Sequence, residues 1–157
     1  MVVGEQPGDR EDLEGHPFVG PAGRLLDRAL EASGVPREEV YITNAVKHFK
    51  WEPRGKRRLH KTPAQREIEA CLPWLEAEIA AIEPRVILCM GATAARSIMG
   101  GKVRVTEMRG KPVDSPLGRQ VVITVHPASV LRVPTGMEEA FAAFAVDVQK
   151  AAELAGF

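Results

Sequence analysis

The ten residues "RGKRRLHKTP" at positions 54–63 place Arg54, Lys56, Arg57 and Arg58 within five positions and then present His60. A basic run of this kind grips an anion. If it delivers a nucleic-acid backbone to a reactive group, His60 is a candidate for that group; if it only grips, the imidazole is incidental. Other stretches carry further chemistry. "GEQPGD" (4–9) offers Glu5, Gln6 and Asp9 in a tight turn, where a carboxylate can orient water or a nucleophile. Phe18 follows just before a helical pattern, with a ring able to stack on a planar ligand. Asn44 in "TNAVKH" carries a donor and an acceptor side by side; that pair either matches a pyrimidine edge or satisfies loop backbone. His126 in "VHPAS", with Pro127 fixing the turn, could donate a hydrogen bond to a developing oxyanion.

These residues need elements to hold them. Four short apolar runs read as strands: "MVVG" (1–4), "VYITNAV" (40–46), "RVILCMG" (85–91) and "RQVVITVH" (119–126). They are β-branched and nearly continuous, as strands buried on both faces of a parallel sheet are. Helical patterns lie between them. Residues 20–33 stack Leu25, Leu26, Ala29 and Leu30 on one stripe and stop at Gly34. Residues 63–82 have Thr62 as N-cap and Pro63 at the first helical position, and 91–99 and 138–154 complete the set. The expectation is an α/β fold: a three-layer α/β/α sandwich around a four-stranded, mainly parallel sheet. Every unusual motif follows the end of a strand, including "GATAA" after the third. Ligands in open α/β sheets bind at those ends. Neither the dinucleotide fingerprint nor the phosphate-loop motif is present.

With 157 residues, 45% hydrophobic and 27% charged, the chain reads as one globular domain over 1–157. It has no apolar run of membrane-spanning length and no basic-then-apolar leader, so the expected setting is cytoplasmic, with no membrane partner. Cys71 and Cys89 are far apart with no paired spacing, which argues against a disulfide framework and a self-contained zinc motif. The formal net charge is zero, yet residues 47–61 hold seven Lys/Arg against one acid, Glu52. Such a patch is either a polyanion contact or a solvated loop. Phe49 and Trp51 interleave with it and favour a partner with stackable bases.

Taken together, "GEQPGD…PFVGPAGRLLD" and "HPAS" resemble the first and second motifs of the uracil-DNA glycosylase superfamily in its iron–sulfur-containing branches. "GKRRLH" resembles the KRRIH-like loop of the X-type branch, with Leu59 in place of isoleucine, and the likeness extends through "NAVKHFK", "GATAA" and "VTVHP". The resemblance implies a protein that flips uracil out of DNA and breaks its N-glycosidic bond. By that likeness Phe18 stacks on uracil, Asn44 reads its edge, and Gln6 and Asp9 shape the pocket. His126 stabilises charge on the departing base, while His60, oriented by Glu5, attacks the sugar. Lys56, Arg57, Arg58 and Ser129 hold the DNA.

The same resemblance implies a [4Fe–4S] cluster with four protein ligands, of which His48 and Cys71 match two. The other two belong to a C-x-x-C that this chain lacks, so the expectation is either a missing N-terminal segment, favoured by the short first strand, or loss of the cluster. Cys89, inside "VILCMG", reads as core. The expected partner is uracil-containing DNA, single-stranded or with the nucleotide flipped out, bound by a monomer. Three functions stay open: single capture of the sugar on His60, ordinary multiple-turnover hydrolysis, and a nucleotide-binding enzyme unrelated to DNA.

Overall fold

A computed structural model describes all 157 residues. The four apolar runs form parallel strands: β1 (Val2–Gly4), β2 (Ile42–Asn44), β5 (Val86–Met90) and β7 (Gln120–Thr124). Two further strands, β3 (Trp51–Arg54) and β4 (Arg57–His60), pair only with each other. A short strand, β6 (Pro112–Asp114), joins the edge antiparallel to β7 and gives the main sheet the order β2-β1-β5-β7-β6. The sheet therefore has five strands where the sequence reading expected four. The edge strand escapes hydrophobic patterning because it is three residues long, opens on a proline and buries none of its residues.

Alternation along the strands sorts side chains onto two faces. Val2, Leu88, Met90 and Val122 pack against α2 (Pro21–Ala32), α6 (Pro127–Leu131) and α7 (Met137–Ala155). Val3, Ile87, Cys89, Val121 and Ile123 pack against α3 (Gln65–Ile82) and α4 (Ala92–Met99). Leu26, Ile87 and Phe144 are fully buried, and each such side chain stabilises the fold by about 1.5–3 kcal/mol. Two short helices, α1 (Asp9–Glu14) and α5 (Val105–Met108), and a single 3-10 turn, Arg37–Glu39, complete the chain. Ala64, rather than Thr62, caps α3. The Glu67 carboxylate accepts a hydrogen bond from Lys50 and reaches back to the Ala64 N–H, and the two together hold its pKa low.

The basic stretch itself is a β-hairpin, not a loop. Arg54 pairs with Arg57 across a two-residue turn in which Gly55 sits at φ +58°, a backbone region that glycine enters without steric cost. The chain leaves β1 for β2 on one side and returns to β5 on the other. The crevice between β1 and β5 is thus a switch point of the sheet, where ligand sites of such folds form.

Candidate active site

A cleft of about 950 Å³ opens at the carboxyl ends of β1, β2 and β5, bounded by the β4 end of the hairpin and the start of α6. Its floor is made by close approach. A Cβ on Gly4 would stand 2.5 Å from Asn44 Oδ1 and 2.7 Å from Phe18 Cζ, so only glycine lets the two side chains meet over the end of β1. Phe18 has φ +57°, uncommon for a residue with a side chain, and its carbonyl lies where a Cβ on Gly23 would sit, at 1.7 Å. The ring is thereby fixed and stacks against His126 with centroids 5.9 Å apart. Asn44 Oδ1 is buried and has no hydrogen-bond partner, in an amide that lines the cleft. An orphaned acceptor of that kind costs about 1–3 kcal/mol until a donor arrives.

His126 caps α6. Its Nδ1 accepts the Ala128 N–H at 3.1 Å, which leaves the proton of the neutral ring on Nε2. Burial is the main cause that lowers its pKa from 6.5; Glu5 opposes this, while Arg132 and His60 add to it. The ring is therefore a neutral donor at neutral pH, suited to a developing negative charge.

The hairpin is tied down at its base and along its side. Gln6 Nε2 donates to the carbonyls of Lys50 (3.2 Å) and Lys61 (3.1 Å), and its Oε1 accepts the Lys50 N–H at 3.1 Å. Arg58 Nε donates to Asp9 at 2.6 Å and its NH1 to Asp12 at 2.7 Å, while its guanidinium lies 5.2 Å from the Phe49 ring centroid and 5.5 Å from that of Trp51. These ties set His60 at the cleft edge, with Nε2 3.0 Å from Glu5 Oε1. The other Glu5 oxygen accepts the Thr93 hydroxyl at 2.6 Å.

A cleft with a stacking ring, an unsatisfied amide, a neutral histidine donor and a carboxylate–histidine pair fits cleavage of a bond to a planar, polar-edged base. Residues 1–149 match the uracil DNA glycosylase superfamily. The chain belongs to that superfamily. It is 46% identical over 133 residues to the type-4 uracil-DNA glycosylase of Thermotoga maritima, covering 84% of this chain and 66% of the relative. Against the type-4 enzyme of Archaeoglobus fulgidus it is 39% identical over 169 residues, covering 99% and 76%. A type-5 enzyme of Pyrobaculum aerophilum is 33% identical over 153 residues, covering 87% and 63%. The chain thus spans about two thirds of the length of several relatives.

Within this frame the structure gives several of the expected site residues additional contacts. Arg58 is held by two carboxylates, Asp9 and Asp12, and Asp9 lines the cleft beside that pair. Gln6 lines the cleft, but its amide is committed to hairpin backbone on both sides. Ser129 Oγ donates to the His126 carbonyl at 2.7 Å and serves the turn of α6. Of the basic stretch, Lys47, Lys50 and Lys61 pair with Glu78, Glu67 and Glu52, so the exposed cations without an acidic partner are Arg54, Lys56 and Arg57.

Sequence reasoning assigned no role to Thr93, Glu11 or Arg132, all at or beside the cleft. Glu11 accepts the Gly20 N–H at 3.3 Å and closes the loop that carries Phe18. The position of "GATAA" at a strand end was the available signal for Thr93. For the implied cluster, Cys71 is buried and accepts the Lys47 N–H at 3.4 Å, beside exposed His48, but no three His, Cys, Asp or Glu residues gather there. Cys89 is no substitute: burial in β5 pushes its thiol up to about 12. The residues of this chain do not complete a four-ligand site.

Proposed function

We propose that this protein excises uracil from DNA and captures the exposed sugar on His60, as an X-type member of the superfamily acting as a cytoplasmic monomer. The observation that carries the reading is the 3.0 Å contact between Glu5 and His60 Nε2 at the edge of the cleft that holds His126. A flipped-out uracil would stack on Phe18, and its N–H would satisfy Asn44 Oδ1. Glu5 accepts the Nε2–H of His60 and so leaves the lone pair on Nδ1, which bonds the anomeric carbon; the imidazolium formed is stabilised by Glu5 and passes its Nε2 proton to that carboxylate. The bond from that carbon to uracil N1 breaks and its electron pair leaves with the base. His126 Nε2–H donates to a base carbonyl oxygen as the charge accumulates. Arg54, Lys56 and Arg57 on the hairpin would meet backbone phosphates.

No step of this scheme runs through an iron–sulfur cluster. In a longer form of the protein, with an upstream C-x-x-C and one domain spanning the present residues, His48 and Cys71 would supply two of its four ligands. A second reading, ordinary hydrolysis with release of uracil over many turnovers, is favoured by the type-4 names of the relatives. Those names also count against a nucleotide-binding enzyme unrelated to DNA. A denaturing gel after incubation with a uracil-containing oligonucleotide separates the first two. Capture gives one heat-stable shifted band per active molecule. Abasic product accumulating beyond the protein concentration, with no shifted band, refutes it.

A further inference from the structure

We infer that Thr93 is a positioning residue for the Glu5–His60 pair, an inference that rests on the function proposed above. Thr93 is the second residue of α4 and only 3% exposed, so its hydroxyl has no water to donate to. It donates to Glu5 Oε2 at 2.6 Å, across 88 residues of sequence. The consequence is geometric. A carboxylate rotates freely about its last torsion unless one oxygen is held. With Oε2 on Thr93, Oε1 is the oxygen presented to His60 Nε2. The bond spans the switch-point crevice from the β5 side to the β1 side, so the two strand ends that flank the cleft set one carboxylate between them.

A second feature supports the role. α4 begins at Gly91, with φ +90°, where a Cβ would stand 3.3 Å from His126 Cβ. The turn that delivers Thr93 is therefore packed directly on the histidine that faces the departing base. Thr93 is thus carried by a rigid corner rather than by a loose loop, and Glu5 takes its position from that corner.

The test compares Thr93→Val, which keeps the shape and removes the hydroxyl, with Thr93→Ser, which keeps the hydroxyl. Single-turnover adduct formation on a uracil oligonucleotide is expected to slow on the order of 10–100-fold in Thr93→Val, the size of a lost hydrogen bond to a charged group. Thr93→Ser should stay within about threefold of the native rate, and affinity for DNA carrying a non-cleavable 2′-fluoro-arabinouridine should be unchanged in both. If Thr93→Val does not fold, the pair Thr93→Ser and Thr93→Ala isolates the same hydroxyl with the methyl absent from both. A native rate in the hydroxyl-free variant, or equal slowing in Thr93→Ser, overturns the assignment and leaves packing. If the native protein releases uracil without forming any adduct, the capture reading fails by itself. The same ordering of variants is then expected in single-turnover uracil release, and its absence there refutes the role of Thr93.

Discussion

Gly4→Ala is the smallest change that tests the floor of the cleft. Gly4 has no positive φ, so alanine meets no backbone penalty and the whole effect lies in one methyl group. That methyl would stand 2.5 Å from Asn44 Oδ1, 2.7 Å from Phe18 Cζ and 2.9 Å from Phe18 Cε2, against ordinary separations of 3.4–4 Å. Asn44 Oδ1 must then retreat by roughly 0.9 Å and the ring by roughly 0.7 Å. Neither has room. The Phe18 carbonyl is wedged over Gly23, and its ring already rests on His126. Overpacking of this kind costs about 1–3 kcal/mol, a fall in Tm of roughly 2–12 °C at this chain length. A displacement near 1 Å in groups that position a substrate costs on the order of 100-fold in rate. Single-turnover uracil excision should fall by that factor, while affinity for uracil-free DNA should hold, because Arg54, Lys56 and Arg57 are untouched. A folded Gly4→Ala protein that excises uracil at the native rate would refute the reasoning, since Phe18 and Asn44 would then have no part in holding the base.

His60→Ser should abolish the heat-stable adduct on a denaturing gel yet still release uracil, whereas His126→Ser should slow base release itself, on the order of 10²–10³-fold by single-turnover kinetics. Replacing Arg54, Lys56 and Arg57 together by alanine should flatten the salt dependence of DNA binding by about 0.9 in log–log slope for each phosphate no longer neutralised. Arg58→Ala should leave that slope unchanged and reduce adduct formation, because Arg58 holds the hairpin rather than the DNA. Burial lowers the pKa of His126, so below 6.5 the unfolded chain takes up a proton that the folded chain refuses. Tm should therefore fall as pH drops from 6.5 toward the lowered value, and His126→Gln, followed by calorimetry across that range, should lose this part of the fall.

The parallel strands were legible because each is a buried, mostly β-branched run, and the motifs at their ends marked the cleft. Pairings across long separations were not legible. Nothing in "KRRLH" says that Arg58 reaches Asp9 and Asp12, residues 49 and 46 positions away, and leaves Arg57 outside. Charge in sequence reports a patch; which cations are free depends on the acids that folding brings alongside. The hairpin read as a loop because Pro53 and its dense charge argue against a strand, while an isolated two-stranded ribbon needs no apolar face when side-chain ties anchor it. The positive φ of Phe18 follows from close packing on Gly23, a meeting of loop and helix that no periodicity encodes.

Neither strand of that hairpin buries a single residue. The element that carries His60 therefore adds no fully buried side chain to the core and is held to it by polar ties at its base. A side chain mounted in this way can be exchanged, or its strand shortened, without opening a cavity in the apolar core. For the engineer, the ribbon from Trp51 to His60, taken with its Gln6 and Asp9–Asp12 anchors, is a unit to vary apart from that core.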